Sequence, residues 1–203
     1  MNNQIKIRNI SKKYEKNKTI KVLNDISFNF ESGKIYSIVG PSGSGKSTLL
    51  NLLSLIDTPS SGTIEINNSK INFENKIIND NIRAKKIGII HQDKNLLSDF
   101  SAVENVYLPN LLLSNDHFSS MNLAKKIIKN IGLSSRLNHF PSELSGGENQ
   151  RIAIARALIN NPEIILADEP TGSLDFDNAK QIFKILLNLK NKNRIVIFAT
   201  HNR

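Results

Sequence analysis

At 203 residues and 22.7 kDa the chain is too long for a minimal domain and too short for two roomy ones, which favours one α/β domain with an inserted subdomain. Hydrophobic residues at 39% and charged residues at 22% exclude a disordered or collagen-like protein, and the absence of cysteine excludes a disulfide framework and thiol redox chemistry. A net charge of +9 invites a nucleic-acid or anionic-membrane reading, but 20 lysines against 7 arginines, with 28 asparagines and 29 isoleucines, match drift towards A/T-rich codons.

The basic residues occur singly or in pairs, such as Lys12-Lys13 and Lys125-Lys126, and never form a block. No nucleic-acid partner is expected. The first six residues lack the apolar stretch of a secretion signal, and the longest apolar runs (164–167 and 195–199) are strand-length, so the chain is expected to stay in the cytoplasm without crossing a bilayer.

In chain order, residues 5–10 and 22–30 alternate apolar and polar side chains, the mark of half-buried strands. A turn at 31–33 leads into the short apolar run 35–39, a glycine-rich turn, and the apolar-periodic segment 47–55: strand, loop, helix. Alternating pieces at 62–66 and 87–90 suggest a small antiparallel layer. From about 95 to 160 the pattern is helical, with Pro109, Pro141 and Pro162 as punctuation. A buried strand (164–168), a helix (about 177–190) and a last strand (194–200) follow.

Gly40-Pro41-Ser42-Gly43-Ser44-Gly45-Lys46-Ser47 fits G-x-x-x-x-G-K-[ST] in full, between the strand and helix that this motif requires. Its glycines let backbone N–H groups turn inwards around a polyphosphate, and the helix N-terminus adds its positive end. Lys46 should reach the β- and γ-phosphates, Ser47 should offer its hydroxyl to Mg²⁺, and Thr48 can bond a phosphate from the first helical turn. A second apolar strand ends in Asp168 and Glu169, a Walker B arrangement: Asp168 would hold Mg²⁺ and Glu169 could polarise an attacking water. The alternative for this pair is plain surface charge. Nucleoside triphosphate binding, with ATP and Mg²⁺ as ligands, is the expectation.

Leu144-Ser145-Gly146-Gly147-Glu148, followed by Asn149-Gln150-Arg151, resembles the signature of the ATP-binding cassette (ABC) family. Ser145 and the amides of Gly146 and Gly147 open a helix, which makes an anion seat. The resemblance implies an α/β P-loop NTPase fold: a nucleotide-binding core at about 4–90 and 160–203 with a small antiparallel β layer, and a helical subdomain at about 93–159. It also implies a head-to-tail homodimer in which the signature of one subunit closes on the γ-phosphate held by the other. Tyr14 stands where the family stacks a ring on adenine, although packing is the alternative for a single tyrosine near a strand. Gln92 matches the Q-loop glutamine that touches Mg²⁺ and the water. Asp175, in Ser173-Leu174-Asp175, matches the D-loop, and His201 matches the switch histidine at the γ-phosphate. His91, His117 and His139 match nothing and read as surface or loop residues.

Between Asn95 and Pro109 the chain is similar to ABC ATPases that drive periplasmic work: lipoprotein-releasing systems, macrolide and peptide exporters, and the cell-division pair. Leu97-Ser-Asp-Phe100, with Glu104-Asn-Val106 and Pro109, points to the lipoprotein-releasing type. The implied machine has two ATPase subunits on two integral membrane subunits, docked near Gln92–Pro109, at the cytoplasmic face of the inner membrane. Leu96, Leu97, Phe100, Val103, Val106 and Leu108 hold more apolar surface than one helix face readily buries, so some are expected in an exposed docking groove.

Two departures concern hydrogen-bonding residues: Asn149 replaces the more frequent glutamine, and Ser173 the frequent asparagine. A third is that the sequence ends two residues after His201, which leaves the last strand expected as an exposed edge. Two rivals fit poorly. ABC ATPases acting on chromosomes insert long coiled coils between phosphate loop and signature, whereas Lys46 and Ser145 are 99 positions apart here with no heptad run. A metabolic kinase would lack the signature.

Overall fold

The computed structural model describes residues 3–15 and 19–201. It contains two four-stranded sheets. The antiparallel one is built on β1 (Gln4–Glu15), which pairs with β2 (Thr19–Glu31) on one side and, on the other, with β4 (Ser61–Ile66), continued by the two-residue β5 (Ser69–Lys70). Ile5, Ile7 and Ile10 of β1 are fully buried. The last of these is shifted by one position because the register slips between Ile7 and Ile10, where Asn9 takes φ 50°.

The second sheet is parallel, in the order β3 (Lys34–Val39), β8 (Ile195–Thr200), β7 (Ile164–Asp168), β6 (Ile87–Ile90). Strands β7 and β8 read as apolar runs because helices cover both faces. Ile164, Leu166, Ile195 and Ile197 point to one side and share a core with Leu49, Leu50, Leu52 and Leu53 of α1 (Lys46–Leu53) and with the isoleucines of β1. Ile165, Ala167 and Val196 point to the other. There they meet Ile154 of α5 (Gly146–Leu158) and Ile182 and Leu186 of α6 (Phe176–Asn188). A third cluster joins α3 (Ala102–Ser114), α4 (His117–Asn130) and α5 through Val103, Val106, Ala124, Ile128 and Ile152.

Three expectations change. The 87–90 run is not part of the antiparallel layer: α2 (Lys76–Lys86) precedes it, and β6 pairs in parallel with β7. A four-residue apolar run carries no periodic information about which sheet it joins. Pro109 does not end a helix but lies inside α3, whose buried face outweighs the one lost N–H bond. The last strand is not an edge. β8 is paired on both sides, and β3 and β6 are the edges of its sheet.

Candidate nucleotide-binding site

The phosphate loop hangs between β3 and α1. Gly40 N–H donates to Thr200 O at the end of β8 (3.4 Å), and Ser44 N–H to Pro41 O (3.2 Å). Gly43 and Gly45 have φ 78° and 90°, and a Cβ at Gly45 would lie 2.9 Å from Leu23 Cδ2, so both conformation and space demand glycine there. Pro41, Ser42, Gly43 and Ser44 are exposed, as is Ser47, while Thr48 is half-buried. Lys46 is buried at 8% exposure, and its ammonium donates to Gly40 O (2.9 Å) and Pro41 O (3.1 Å).

Asp168 and Glu169 close β7, beside the end of β8 that precedes His201. Glu169 N–H donates to Ala199 O, and the residue sits at φ 44°, a region costly for a side chain bearing a Cβ. That conformation turns its carboxylate back onto the site: Oε1 is 3.6 Å from Lys46 Nζ and Oε2 is 2.8 Å from His201 Nδ1. Three residues named from three separate motifs therefore meet at one carboxylate. Asp168 Oδ1 is buried and lacks a hydrogen-bond partner among the described residues. A buried carboxylate oxygen left open at the end of a strand suits a divalent cation. No group of three or more His, Cys, Asp or Glu that could hold a metal exists among the described residues.

Gln92 is exposed just after β6, and a Cβ built at Gly172 would lie in ordinary contact with its Nε2 (3.6 Å) and with Glu169 Cβ (3.5 Å), so the two loops lie side by side at this point. Lys94 Nζ donates to Ser173 Oγ (2.9 Å), joining the same loops a second time. Asp175 is exposed and caps α6 by accepting from Asn178 N–H, a bond that, with the Asn178 side-chain amide, holds its carboxyl below the usual range. Tyr14 lies on β1, partly exposed, with its hydroxyl donating to Asp57 Oδ2 (2.9 Å).

The signature residues stand apart from this cluster. Ser145 is the N-cap of α5: its Oγ accepts from Glu148 N–H (3.2 Å), while Glu148 Oε2 accepts from Ser145 N–H (2.8 Å) and Oε1 from Arg136 (2.9 Å). Gly146 faces Leu174, and Gly147 packs so closely on Asn178 that a Cβ would collide with it. Neighbouring Asn149, Gln150 and Arg151 each bury polar side-chain atoms with no hydrogen-bond partner among the described residues, Gln150 at 1% exposure.

Of the docking set, Val103 and Val106 are core, Leu96 packs against the helical cluster and Leu108 is half-buried, whereas Leu97 (43%) and Phe100 (37%) are exposed. His117 opens α4 against the Tyr107 ring, and His139 contacts Arg136. His91 is half-buried, and burial pushes its imidazole below the usual value, with the Arg156 charge adding to that and Asp168 opposing it.

Sequence reasoning missed Lys12, Asp57 and Arg156. Arg156 of α5 donates to Asn95 O (2.6 Å) and Lys94 O (2.7 Å), pinning the loop after Gln92 to the signature helix. Nothing in a one-dimensional pattern marks a side chain that bonds carbonyls some sixty positions away.

A model of the ABC transporter family matches residues 23–172. The lipoprotein-releasing system ATP-binding protein LolD of Rickettsia bellii is 43% identical over the whole chain and 90% of its own length, and that of Wigglesworthia glossinidia brevipalpis is 45% identical with the same coverage. The ATP-binding cassette MJ0796, solved as a dimer in a post-hydrolysis state bound to ADP and Pi, superposes with a TM-score of 0.90 at 38% identity, covering 98% of this chain and 88% of that one. With its phosphate loop, paired strand-end carboxylates and signature helix, the chain belongs to the ABC transporter family as one of its ATP-hydrolysing cassettes.

Proposed function

We propose that this chain powers the release of lipoproteins from the inner membrane, as a homodimer of ATPase subunits held at the cytoplasmic face by two integral membrane subunits. No helix among the described residues is long and apolar enough to cross a membrane, which suits a peripheral subunit. The observation that carries the ATPase chemistry is the Glu169 carboxylate, 12% exposed, seated between Lys46 and His201 with the open Asp168 oxygen one residue before it. The cargo rests on the relatives, which match over the full chain and carry that name.

In this reading the amides of residues 40–48 hold the phosphates, and Lys46 leaves the Gly40 and Pro41 carbonyls for the β- and γ-oxygens. Glu169 accepts the proton of the attacking water, and His201, released from Glu169, donates to the γ-phosphate. Asp168, Ser47 and Gln92 would hold Mg²⁺, which would supply neutralisation of phosphate charge. The partner's Ser145, Gly146 and Gly147 offer donors at a helix N-terminus to that same phosphate. Tyr14 stacks on adenine, Asp175 links the two sites, and the exposed Leu97 and Phe100 receive the membrane subunits.

The test is reconstitution. The membrane subunits that copurify with the chain from detergent are placed with it in proteoliposomes carrying a radiolabelled lipoprotein. ATP-dependent transfer of the label to the aqueous phase is expected. Hydrolysis without transfer would overturn the cargo and leave the ATPase reading intact.

A further inference from the structure

Tyr14 is held by more of the chain than a surface ring requires. Lys12, only 9% exposed on β1, forms an ion pair with Asp57 Oδ1 at 2.6 Å and also donates to Thr58 O at 2.7 Å. The other oxygen of Asp57 accepts the Tyr14 hydroxyl at 2.9 Å. The Lys12 ammonium lies 4.9 Å from the centroid of the Tyr14 ring. One carboxylate on the segment leaving α1 therefore binds both ends of a strand-borne pair: its cation and its aromatic ring.

A tyrosine ring free to turn about two side-chain torsions loses that freedom whenever a ligand stacks on it. With the hydroxyl tethered and a cation over the ring, the cost is met in the folded protein before nucleotide arrives. The tether is anchored in the same strand–loop–helix unit that carries Lys46 and Thr48, so ring and phosphate seat are held in a fixed relation.

We infer that Lys12 and Asp57 are positioning residues that preset Tyr14 as a platform for a purine base, so that they govern affinity for the base and not for the polyphosphate. This rests on the reading of Tyr14 as the adenine contact. Neither residue touches the reacting atoms.

The experiment measures KM and kcat for ATP hydrolysis by the full chain, together with binding of ATP and of inorganic tripolyphosphate, which lacks the base. Tyr14→Phe keeps the ring and the Lys12–Asp57 pair and removes only the tether; Asp57→Asn weakens the whole clip. Both are expected to raise the KM for ATP about two- to tenfold, with kcat and tripolyphosphate affinity unchanged. A parallel loss of tripolyphosphate binding in both variants would make the clip a support of the phosphate loop and overturn the inference. If Tyr14→Ala raises the KM while Tyr14→Phe and Asp57→Asn do not, the inference fails and the adenine contact stands. If Tyr14→Ala leaves the KM unchanged, the adenine contact fails and takes the inference with it.

Discussion

The phosphate end and the signature end treat their polar groups in opposite ways. Around the phosphate loop, Lys46, Glu169 and His201 are partnered within the chain, and the open Asp168 oxygen suits a cation. At the start of α5, three consecutive residues, Asn149, Gln150 and Arg151, bury atoms without hydrogen-bond partners among the described residues, behind a cap whose glycine amides remain as donors. Unpaired buried groups cost about 1–3 kcal/mol each. A site that closes on itself can be folded alone, whereas one that leaves donors open at a helix terminus is arranged for something brought to it. Within one chain, the phosphate end is closed by its own partners while the signature helix keeps its terminal donors open.

The sharpest way to break that contrast is Glu169→Gln. The amide keeps the shape but accepts no proton, so turnover should fall about 10²- to 10⁴-fold with ATP binding retained. Phosphate release measured beside nucleotide binding decides it, and parental turnover in a folded variant would put the base elsewhere.

Ser145→Arg attacks the open half. It should leave each subunit's ATP affinity unchanged while abolishing ATP-driven dimerisation by light scattering. Mixing it with Lys46→Ala, which keeps its signature but loses its phosphate clamp, should restore one composite site in two and part of the dimer. No recovery at any ratio would favour a self-contained site.

Phe100→Glu and Val103→Glu compare an exposed and a buried member of one segment, at 37% and 4% exposure. The first should melt near the parent and lose the membrane subunits in a pull-down. The second should cost several kcal/mol and unfold the helical cluster. Equal melting losses would mean that Phe100 is core.

The smallest effect belongs to Glu148. The Ser145 N–H bond, aided by Arg136, holds its carboxyl below the ordinary 4.5. A depressed carboxyl stabilises the fold above that value, and the contribution is lost as pH falls through the folded pKa. Glu148→Gln should therefore cost about 1 kcal/mol at neutral pH, a difference that closes below about pH 4.5 in acid titration of stability.

The parts most legible in the sequence were those whose information is local. Strands β3, β7 and β8 announce themselves as isoleucine-rich runs, and each ends at a short motif, so Lys46, Glu169 and His201 could be named together before any geometry was known. What stayed hidden depends on distance. The place of β8 in its sheet follows from crossovers and not from its order in the chain. Lys12 and Asp57 are 45 positions apart and look like ordinary surface charge until β1 and the exit from α1 are set side by side. The φ of 44° at Glu169 is equally silent, because nothing in Asp-Glu-Pro distinguishes a turned carboxylate from a straight one.

Strand β8, inserted between β3 and β7, also sets an order of events at the ribosome. Lys34 pairs with Ile195 and Val39 with Thr200, and the amide of Gly40 is held by the Thr200 carbonyl, so the walls of the phosphate loop are made by segments synthesised far apart in time. During translation β3 and β7 wait with open edges for the strand that joins them, the interval in which isoleucine-rich segments are most exposed to wrong pairing. The Thr200 contact to Gly40 and the His201 contact to Glu169 both wait for β8. The long-range closure of this sheet, and not the making of any helix, is the step that completes the walls of the phosphate loop.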